Sequence, residues 1–259
     1  MILIAEMLGV RREDRDLLQH WSDQMISGSD GPENVTVEVI EAHQQFMEYT
    51  GQIIEDRRKS PHDDLISTLV HAEIDGDKLT QEELLGESLL LLVGGNETTR
   101  NVISGSVEVL SRHPGERAVL REDPSRLPVA VEECLRWVTP IINMARTATR
   151  DVQVRGKTVR AGQQILLMYG SANRDEAAFD WPDRFNVGRE PNPHVAFGFG
   201  AHFCLGNALA RIEIKVVLEE LLRRMPDIEV APGFEVWRTP SSFIRGITSL
   251  PVVFTPEAA

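Results

Sequence analysis

The chain has 259 residues, of which 42% are hydrophobic and 26% are charged, a composition typical of a globular protein and not of a disordered one. Lys and Arg number 27 against 40 Asp and Glu, and the resulting net charge of -13 argues against a protein that neutralises nucleic-acid phosphates. No apolar run is long enough to cross a bilayer, 89–93 being the most apolar, and the N-terminal residues do not have the pattern of a secretory signal. Two cysteines, Cys134 and Cys204, cannot build a disulfide framework. We therefore expect a cytoplasmic globular protein with no membrane span and no nucleic-acid partner.

The first 137 residues predict helices. Apolar residues recur at helical spacing in three segments, 17–26, 37–54 and 63–72. Thr80 and Glu83 then form the capping-box pattern of a helix start, and no proline follows before Pro114. This spacing predicts an unusually long helix, followed by a short helix at 114–124 and another from Pro128.

After Pro140 the sequence predicts a small amount of β structure, beginning with a hairpin that turns at Arg155 and Gly156. The remaining elements are a strand at 164–169, a final helix at 205–224 and terminal strands within 234–254. Residues 172–203 are rich in Asn, Asp, Pro and Gly and have no clean period, which predicts a long ordered loop with a functional role. We expect one domain, 1–259, that is mainly α with a small β portion.

The segment Phe197-Gly-Phe-Gly-Ala-His-Phe-Cys-Leu-Gly206 contains three glycines and one cysteine. Glycine lets a backbone approach a large flat group, and a cysteine at a helix start is placed to form a thiolate. A single thiolate in such a loop suits a haem iron, whereas structural zinc and iron–sulfur clusters need several ligands. Two other interpretations stay open at this point: an inert buried cysteine, and a zinc site built from His194, His202 and Cys204.

Gly94 and Gly95 lie in the middle of the predicted long helix, where each glycine costs about 1 kcal/mol relative to alanine. Such a pair favours a helix that makes room for a group against its face. The alternative is a notch for helix packing, with Glu97 facing solvent. Glu97 and Thr98 follow directly, an acid and an alcohol that can relay protons into the space beside the glycines.

The pattern F-x-x-G-x-x-x-C-x-G, filled by Phe197, Gly200, Cys204 and Gly206, resembles the haem-ligand signature of the cytochromes P450. Three further motifs occur in that family's order: Gly94-Gly-Asn-Glu-Thr-Thr99, Glu133-Cys-Leu-Arg136 and Pro182-Asp-Arg-Phe185. The chain is therefore identified as a member of this family, whose fold is mainly α with a small β portion. The family's chains carry further helices before the point that matches residue 1.

The resemblance implies haem b as cofactor, with the iron bound through the Cys204 thiolate. The residues that it implies for cofactor binding are Arg146, Phe197, Gly198, His202, Cys204 and Gly206. It also implies that Glu97 and Thr98 are catalytic residues, which deliver protons during oxygen activation.

A structural triad is the next feature that the resemblance implies. Glu133 and Arg136 form a buried set with Arg184 as the third charged partner, and this set holds the cysteine loop in place. Breaking a buried set of this kind costs about 3–5 kcal/mol.

The segments LLVGGNETTR, SANRDEAAF and HVAFGFGAHFCLGNALAR resemble actinobacterial enzymes that oxidise the terminal methyl group of a cholesterol or cholest-4-en-3-one side chain. The implied function is a haem-thiolate monooxygenase that uses dioxygen and electrons from a ferredoxin and its reductase. Its substrate-lining residues are Leu90, Val93, Gly94, Ile141, Ile142, Met144 and Ile244. Arg211 and Lys215 suggest either a basic docking patch for the electron carrier or a solvated helix face.

Two alternatives to this function stay open. The chain is a non-catalytic remnant that cannot hold haem, or it is a monooxygenase of another lipid, such as a branched fatty acid.

Overall fold

The computed structural model describes residues 1–28 and 30–256, and their contacts divide the chain into two compact units, Met1–Glu97 and Thr98–Ala259. The boundary falls inside one long helix. Each unit has a hydrophobic core of its own. The prediction that residues 1–259 form one domain stays a prediction.

The first unit consists of helices. They are α1 (Ile2–Met7), α2 (Arg15–Ser27), α3 (Val37–Lys59), α4 (Leu65–His71) and the first half of α5 (Gln81–Arg112). In the core of this unit the Trp21 ring packs edge-on against Phe46, with 6.2 Å between centroids. The predicted capping box is confirmed, because the Thr80 N–H donates to the Glu83 carboxylate (2.8 Å) and the Glu83 N–H donates to Thr80 Oγ1 (3.2 Å).

The two glycines of α5 have different surroundings. A Cβ atom on Gly95 would lie 2.4 Å from Cδ1 of Ile4, so this glycine is a packing notch for α1. A Cβ atom on Gly94 would meet nothing within 4 Å among the described residues. The packing interpretation therefore holds for Gly95, and the open space predicted beside the helix lies at Gly94.

The second unit contains the rest of α5 together with α6 (Pro114–Glu122), α7 (Leu127–Val138), α8 (Tyr169–Ala172) and α9 (Asn207–Arg224). Its core is built largely from the apolar faces of α7 and α9, including Val131, Leu135, Ile214 and Leu218. The long loop predicted at 172–203 is confirmed as a chain segment with a single short 3-10 turn, Gly200–His202.

The strands of this unit are short. They are β1 (Asn143–Thr147), β2 (Val152–Val154), β3 (Lys157–Val159), β4 (Gln164–Met168), β5 (Glu229–Val230), β6 (Trp237–Arg238), β7 (Ile247–Ser249) and β8 (Val252–Val253). They pair antiparallel as β1 with β4, β2 with β3, β5 with β8 and β6 with β7. The predicted hairpin is confirmed, since Arg155 (φ 45°) and Gly156 (φ 77°) form a turn with both residues in the left-handed region.

The predicted fold class, mainly α with a small β portion, is confirmed by this arrangement. Across residues 1–28 and 30–256, no helix combines the length and apolar character needed to cross a membrane.

Candidate active site

Cys204 lies between the 3-10 turn Gly200–His202 and the start of α9. Its N–H donates to the carbonyl of Phe197 (3.0 Å), which closes the loop, and its carbonyl accepts from Nδ2 of Asn207 (2.7 Å). Gly198 (φ 74°) and Gly200 (φ 77°) are both in the left-handed region, where a side chain would be strained. Gly198 and Gly200 are therefore required by the path that carries Cys204 back toward Phe197.

The Cys204 thiol is half-buried, and burial raises its pKa. A hydrogen bond from the Gly206 N–H and the charge of Arg211 oppose that effect without cancelling it. Burial therefore outweighs these two contributions in the folded chain, and the expectation that Cys204 serves as a thiolate ligand stays a prediction.

The surroundings of Cys204 fit haem. A Cβ atom added to Gly200 or Gly206 would meet nothing within 4 Å among the described residues, so the loop leaves room beside the sulfur. Phe199 and Leu205 are 87% and 86% exposed, so the chain presents large apolar side chains before and after Cys204 in this loop. A large flat apolar group bound at the sulfur would cover these side chains, whereas a lone metal ion would leave them in water.

A zinc site built from His194, His202 and Cys204 is excluded by the contacts of His194. Its Nε2 lies 3.0 Å from a carboxylate oxygen of Glu132, and its Nδ1 accepts from the N–H of Ala196 (3.2 Å), so both ring nitrogens are already engaged. Among the described residues, no group of three or more His, Cys, Asp or Glu side chains is placed to hold a metal ion.

Glu133 and Arg136, both on α7, form the centre of a buried ion network. Arg136 donates Nε and Nη2 to the two carboxylate oxygens of Glu133 (2.7 and 2.8 Å), and both side chains are completely buried. Nη1 of Arg136 donates to the carbonyls of Asn173 and Pro182, at 2.8 Å each. The charges are thus compensated by the fork-shaped pairing and by backbone carbonyls, as a buried ion pair requires.

The third charged partner is Arg189, which corrects the prediction of Arg184. Nε of Arg189 donates to the Glu133 carboxylate (3.0 Å), and the Arg189 side chain is 8% exposed. The side chain of Arg184 is exposed, and this residue contributes its carbonyl, which accepts from Nη2 of Arg189 (2.7 Å) and Nη2 of Arg136 (3.3 Å). Arg184 and Arg189 are five positions apart in the sequence, and only the folded chain shows that the side chain of Arg189 is the one that is buried.

Asn173 connects this network to the cysteine loop. Its carbonyl accepts from Arg136, its Nδ2 donates to Thr139 (2.8 Å), and its side-chain oxygen accepts from the N–H of Val195 (2.8 Å). The Val195 carbonyl in turn accepts from the N–H of Gly198, inside the loop (2.9 Å). A continuous chain of hydrogen bonds therefore runs from the Glu133–Arg136 pair to the glycines before Cys204.

A second set of charges, which the sequence analysis missed, holds the loop from the other side. Nε and Nη2 of Arg211 donate to the Glu132 carboxylate (2.7 and 3.0 Å), and the Arg211 guanidinium lies 4.6 Å from the ring centroid of Phe197. Burial raises the pKa of Glu132, but hydrogen bonds from His194 and Arg211 outweigh it and lower the pKa to about 2. We call Glu132, His194, Arg211 and Phe197 the proximal cluster.

The proximal cluster changes the interpretation of Arg211. Its guanidinium is half-buried and occupied by Glu132 and by Oδ1 of Asn207 (2.7 Å), so it is not a free charge on a docking patch. Lys215 lies 3.7 Å from Glu219 on the same helix. The basic docking patch suggested by the sequence is therefore not present as two free cations.

The predicted proton-relay residues lie on consecutive positions of α5. Glu97 is buried, 5% exposed, which excludes the alternative in which it faces solvent. The Glu97 carboxylate accepts from Nδ2 of Asn96 (3.4 Å), which also donates to Ser22 Oγ (3.3 Å). Thr98 is half-buried.

The predicted haem-binding and substrate-lining residues lie on several elements. Arg146 is half-buried on β1 and donates to the carbonyl of Ala145 (2.9 Å), and His202 is exposed in the 3-10 turn.

Among the predicted substrate-lining residues, Ile141 and Ile244 pair in an isolated β-bridge, and the N–H of Ile142 donates to the carbonyl of Phe243 (2.9 Å). Leu90 (64% exposed), Val93, Gly94 and Met144 (38% exposed) are all at least partly exposed apolar positions on α5 and β1. Their roles stay predictions.

Comparison with known proteins gives the family. The Cytochrome P450 family model matches residues 17–248. The chain is 45% identical over 260 residues to a steroid C26-monooxygenase of Mycolicibacterium smegmatis, covering 100% of this chain and 65% of that protein. It is 44% identical over 257 residues to a methyl-branched lipid omega-hydroxylase of Mycobacterium bovis, covering 98% of this chain and 59% of that protein.

Solved structures of cytochromes P450 have the same fold as this chain. The crystal structure of CYP109E1 from Bacillus megaterium in complex with testosterone matches 96% of this chain and 68% of its own, with a TM-score of 0.89 and 39% identity. The chain thus spans about two thirds or less of the length of the relatives that it matches. Since the family model covers most of the chain and a cysteine loop with room for haem stands at the expected place, the chain belongs to the cytochrome P450 family.

Proposed function

We propose that the protein is a haem-thiolate monooxygenase that hydroxylates an unactivated C–H bond of a lipid. The observation that carries the proposal is the half-buried Cys204 thiol, which lies between open glycines and exposed apolar side chains. The similarity to two lipid-oxidising relatives over nearly the whole chain supports it.

The chemistry that bound haem supplies is reductive activation of dioxygen and insertion of one oxygen atom into a C–H bond. In this proposal Cys204 would hold the iron through its thiolate Sγ, with the thiol proton released to solvent, while Phe197, Gly198 and Gly206 would shape the loop around it. Arg146 and His202 offer N–H donors of the kind that bind carboxylates such as the haem propionates. Glu97 and Thr98 pass protons from the carboxyl group to the hydroxyl group and on toward the open space at Gly94.

The substrate that we propose is a cholesterol or cholest-4-en-3-one side chain, hydroxylated at its terminal methyl group. A steroid C26-monooxygenase is among the similar proteins, and a structurally similar protein was crystallised with testosterone. The partly exposed apolar side chains of Leu90, Val93 and Met144 suit a long apolar ligand. A methyl-branched lipid is the second candidate, because the omega-hydroxylase of such lipids is almost as similar in sequence.

We further propose that the electrons come from a ferredoxin and its reductase. A cytoplasmic location is consistent with the two cysteines, Cys134 and Cys204, which are both free thiols in the structure. We also propose that the two compact units belong to one cytochrome P450 domain. A single cooperative unfolding transition, followed by two spectroscopic probes, is the expected result for one domain.

The first experiment is the carbon-monoxide difference spectrum of the reduced chain after expression with a haem precursor. A strongly red-shifted Soret band in the wild-type chain, absent in Cys204→Ala, is the expected result. Cys134→Ala is the matched control and leaves the band in place, because Cys134 is completely buried in the core. No haem uptake, or an unchanged band in Cys204→Ala, would overturn the proposal and favour the non-catalytic remnant.

The second experiment separates the substrates. We expect cholest-4-en-3-one to shift the Soret band of the haem-loaded chain at lower concentration than a methyl-branched fatty acid does, and to yield a terminal alcohol when ferredoxin, reductase and NADPH are supplied. The opposite order of affinities would assign the branched lipid instead.

A further inference from the structure

A cavity of about 540 Å³ lies in the second unit, between the end of α5, the end of α7 and the segment that contains β6. Its walls include Ile142 and Ile244 but neither Thr98 nor any residue of the cysteine loop. Its size is in the range of small-molecule sites, which is about 300–1,000 Å³. Neither the haem nor the proton relay of the proposed function uses it, and Ile142 and Ile244 are the two wall residues that it shares with the predicted substrate-lining set.

The walls of this cavity are strongly basic. Four arginines line it, Arg112, Arg174, Arg238 and Arg245, and Glu108 is the one acidic side chain among the described lining residues. The chain as a whole has a net charge of -13, so this concentration of positive charge runs against its composition. The Glu108 carboxylate is already shared, because the same oxygen accepts from Arg112 (2.9 Å) and Arg238 (2.7 Å).

The other two arginines are poorly compensated. Arg174 Nη2 donates to the Trp137 carbonyl (3.1 Å), but its Nη1 is buried and has no hydrogen-bond partner among the described residues. Its closest carboxylate contact is Asp183, at 3.8 Å, whose side chain is 89% exposed. The Arg245 guanidinium has no hydrogen bond or ion pair within residues 1–28 and 30–256.

The pKa values of Arg174 and Arg245 are both lowered, as expected for partly buried arginines that lie close to other positive charges. Burial, followed by the charges of Arg245 and Arg136, lowers the pKa of Arg174. Burial and the charge of Arg238 lower the pKa of Arg245. Partly buried guanidinium groups with unsatisfied N–H donors are costly, and an anion with two or three acceptor oxygens would satisfy those donors in the fork geometry that arginine provides.

The remaining walls are aromatic and aliphatic. The Arg174 guanidinium lies 4.8 Å from the ring centroid of Trp137, and the His113 ring lies edge-on to the same indole at 5.9 Å. Val109, Val138 and the two isoleucines complete the apolar part. The cavity therefore offers positive charge at one set of walls and a flat apolar surface at another.

We propose that this cavity is a binding site for a small organic anion, a carboxylate or a phosphate carried on a flat apolar body. The anion contacts Arg174, Arg238 and Arg245, and its apolar body lies against Trp137 and Val138. Glu108 limits the affinity, because its carboxylate competes with the anion for Arg238.

Calorimetric titration of the full 259-residue chain tests the site. The probes are naphthalene-2-carboxylate, 2-naphthyl phosphate and neutral 2-naphthylmethanol, which share one ring system and differ in the charged group. We expect at least one anion to bind about 10-fold or more tightly than the alcohol, with an affinity that falls as salt is added. The order of the two anions identifies the carboxylate or the phosphate as the preferred group.

Variants locate the binding. Arg245→Gln is expected to weaken anion binding about 10-fold or more, Arg245→Lys to weaken it less, and Arg150→Gln, which removes an exposed arginine elsewhere, to leave it unchanged. Glu108→Gln is expected to strengthen it. Arg238→Gln, at a half-exposed position, gives a second test of lost binding if Arg245→Gln does not fold.

Equal binding of anion and alcohol would overturn the proposal. So would anion binding that is indifferent to Arg245→Gln, Arg238→Gln and Glu108→Gln, or the lack of anion binding at millimolar concentration. None of these results bears on the haem spectrum, so the site and the proposed function are tested separately.

Discussion

Glu132 and Glu133 are consecutive residues of α7, yet their carboxylates bind different parts of the chain. Glu133 binds Arg136 and Arg189 and so holds the segment before the cysteine loop. Glu132 binds His194 and Arg211 and so joins the loop to α9. Adjacent side chains on a helix point about 100° apart, which lets one short stretch of α7 brace Cys204 from two directions.

The first prediction concerns the proximal cluster. Glu132→Gln removes the charge that Arg211 and His194 share, and hydrogen bonds to charged groups contribute about 1–3 kcal/mol. We expect a loss of stability of that size in urea unfolding and faster loss of haem from the loaded chain. Glu122→Gln, at an exposed position on α6, is the control and is expected to change neither. Equal behaviour of the two variants would show that the proximal cluster does not support the loop.

The second prediction is a pH dependence. The Glu132 carboxyl has a pKa of about 2 in the folded chain, below its ordinary value of 4.5. Because the folded-state pKa is lowered, its contribution to stability is complete above the unfolded value and is lost as the pH falls toward 2. The difference in unfolding free energy between wild type and Glu132→Gln is therefore expected to shrink from pH 5 downward, and a difference independent of pH over that window would contradict the assignment.

The third prediction separates the two arginines near the Glu133 network. Arg189→Gln leaves Glu133 with one guanidinium partner in a fully buried site, and we expect a loss of about 3–5 kcal/mol. Arg184→Gln changes an exposed side chain and keeps the carbonyl that the network uses, so its effect is expected to stay within about 0.5 kcal/mol. Thermal unfolding of both variants decides between them. A larger loss for Arg184→Gln would restore the assignment made from the sequence motif.

The fourth prediction uses the two helical glycines. Gly94→Ala adds a methyl group in open space and is expected to stabilise α5 by up to about 1 kcal/mol. Gly95→Ala places a methyl group against Ile4 and is expected to cost about 1–3 kcal/mol. Ile4→Ala should relieve part of that cost, so the double variant loses less than the sum of the single variants in urea unfolding. Additive losses would mean that the Ile4 contact does not determine the effect.

The fifth prediction is a difference in thiol reactivity. Burial raises the pKa of Cys134 to about 12, and this side chain is completely buried, whereas Cys204 is half-buried. Iodoacetamide is therefore expected to modify the native haem-free chain once, at Cys204, and to modify both cysteines in urea. Mass spectrometry of the peptides gives the answer, and haem is expected to protect Cys204. Modification of Cys134 in the native chain would contradict the packing of α7.

Much of the fold could be predicted from local patterns. Three such features are the Thr80–Glu83 capping box, the Arg155–Gly156 turn and the helical periodicity of α2 to α5. Each depends on residues near one another in sequence, so each can be predicted from a short stretch of the sequence. The cysteine loop was predictable for the same reason, since its glycines and its thiol lie within ten residues.

The supports of the loop depend on contacts distant in sequence. Arg211 and Glu132 are 79 residues apart, and nothing in the spacing of either residue predicts their pairing. The sequence also did not predict that Arg189, and not Arg184, pairs with Glu133, because this depends on how the chain turns after Phe185. The basic cavity was missed for the same reason, since its four arginines come from three segments that are distant in sequence.

The turn at Trp181 has a consequence for which side chains its position tolerates. The carbonyls of Asp180, Trp181 and Pro182 accept from Arg189 and Arg136, which holds Trp181 at a φ of 50° and leaves its ring 79% exposed. The arginines bind the main chain, which every residue type provides, and not the side chains. The side chain at position 181 therefore takes no part in these bonds, and Gly or Asn is expected to suit its backbone conformation best, whereas replacing either guanidinium group would remove the bonds that hold the turn.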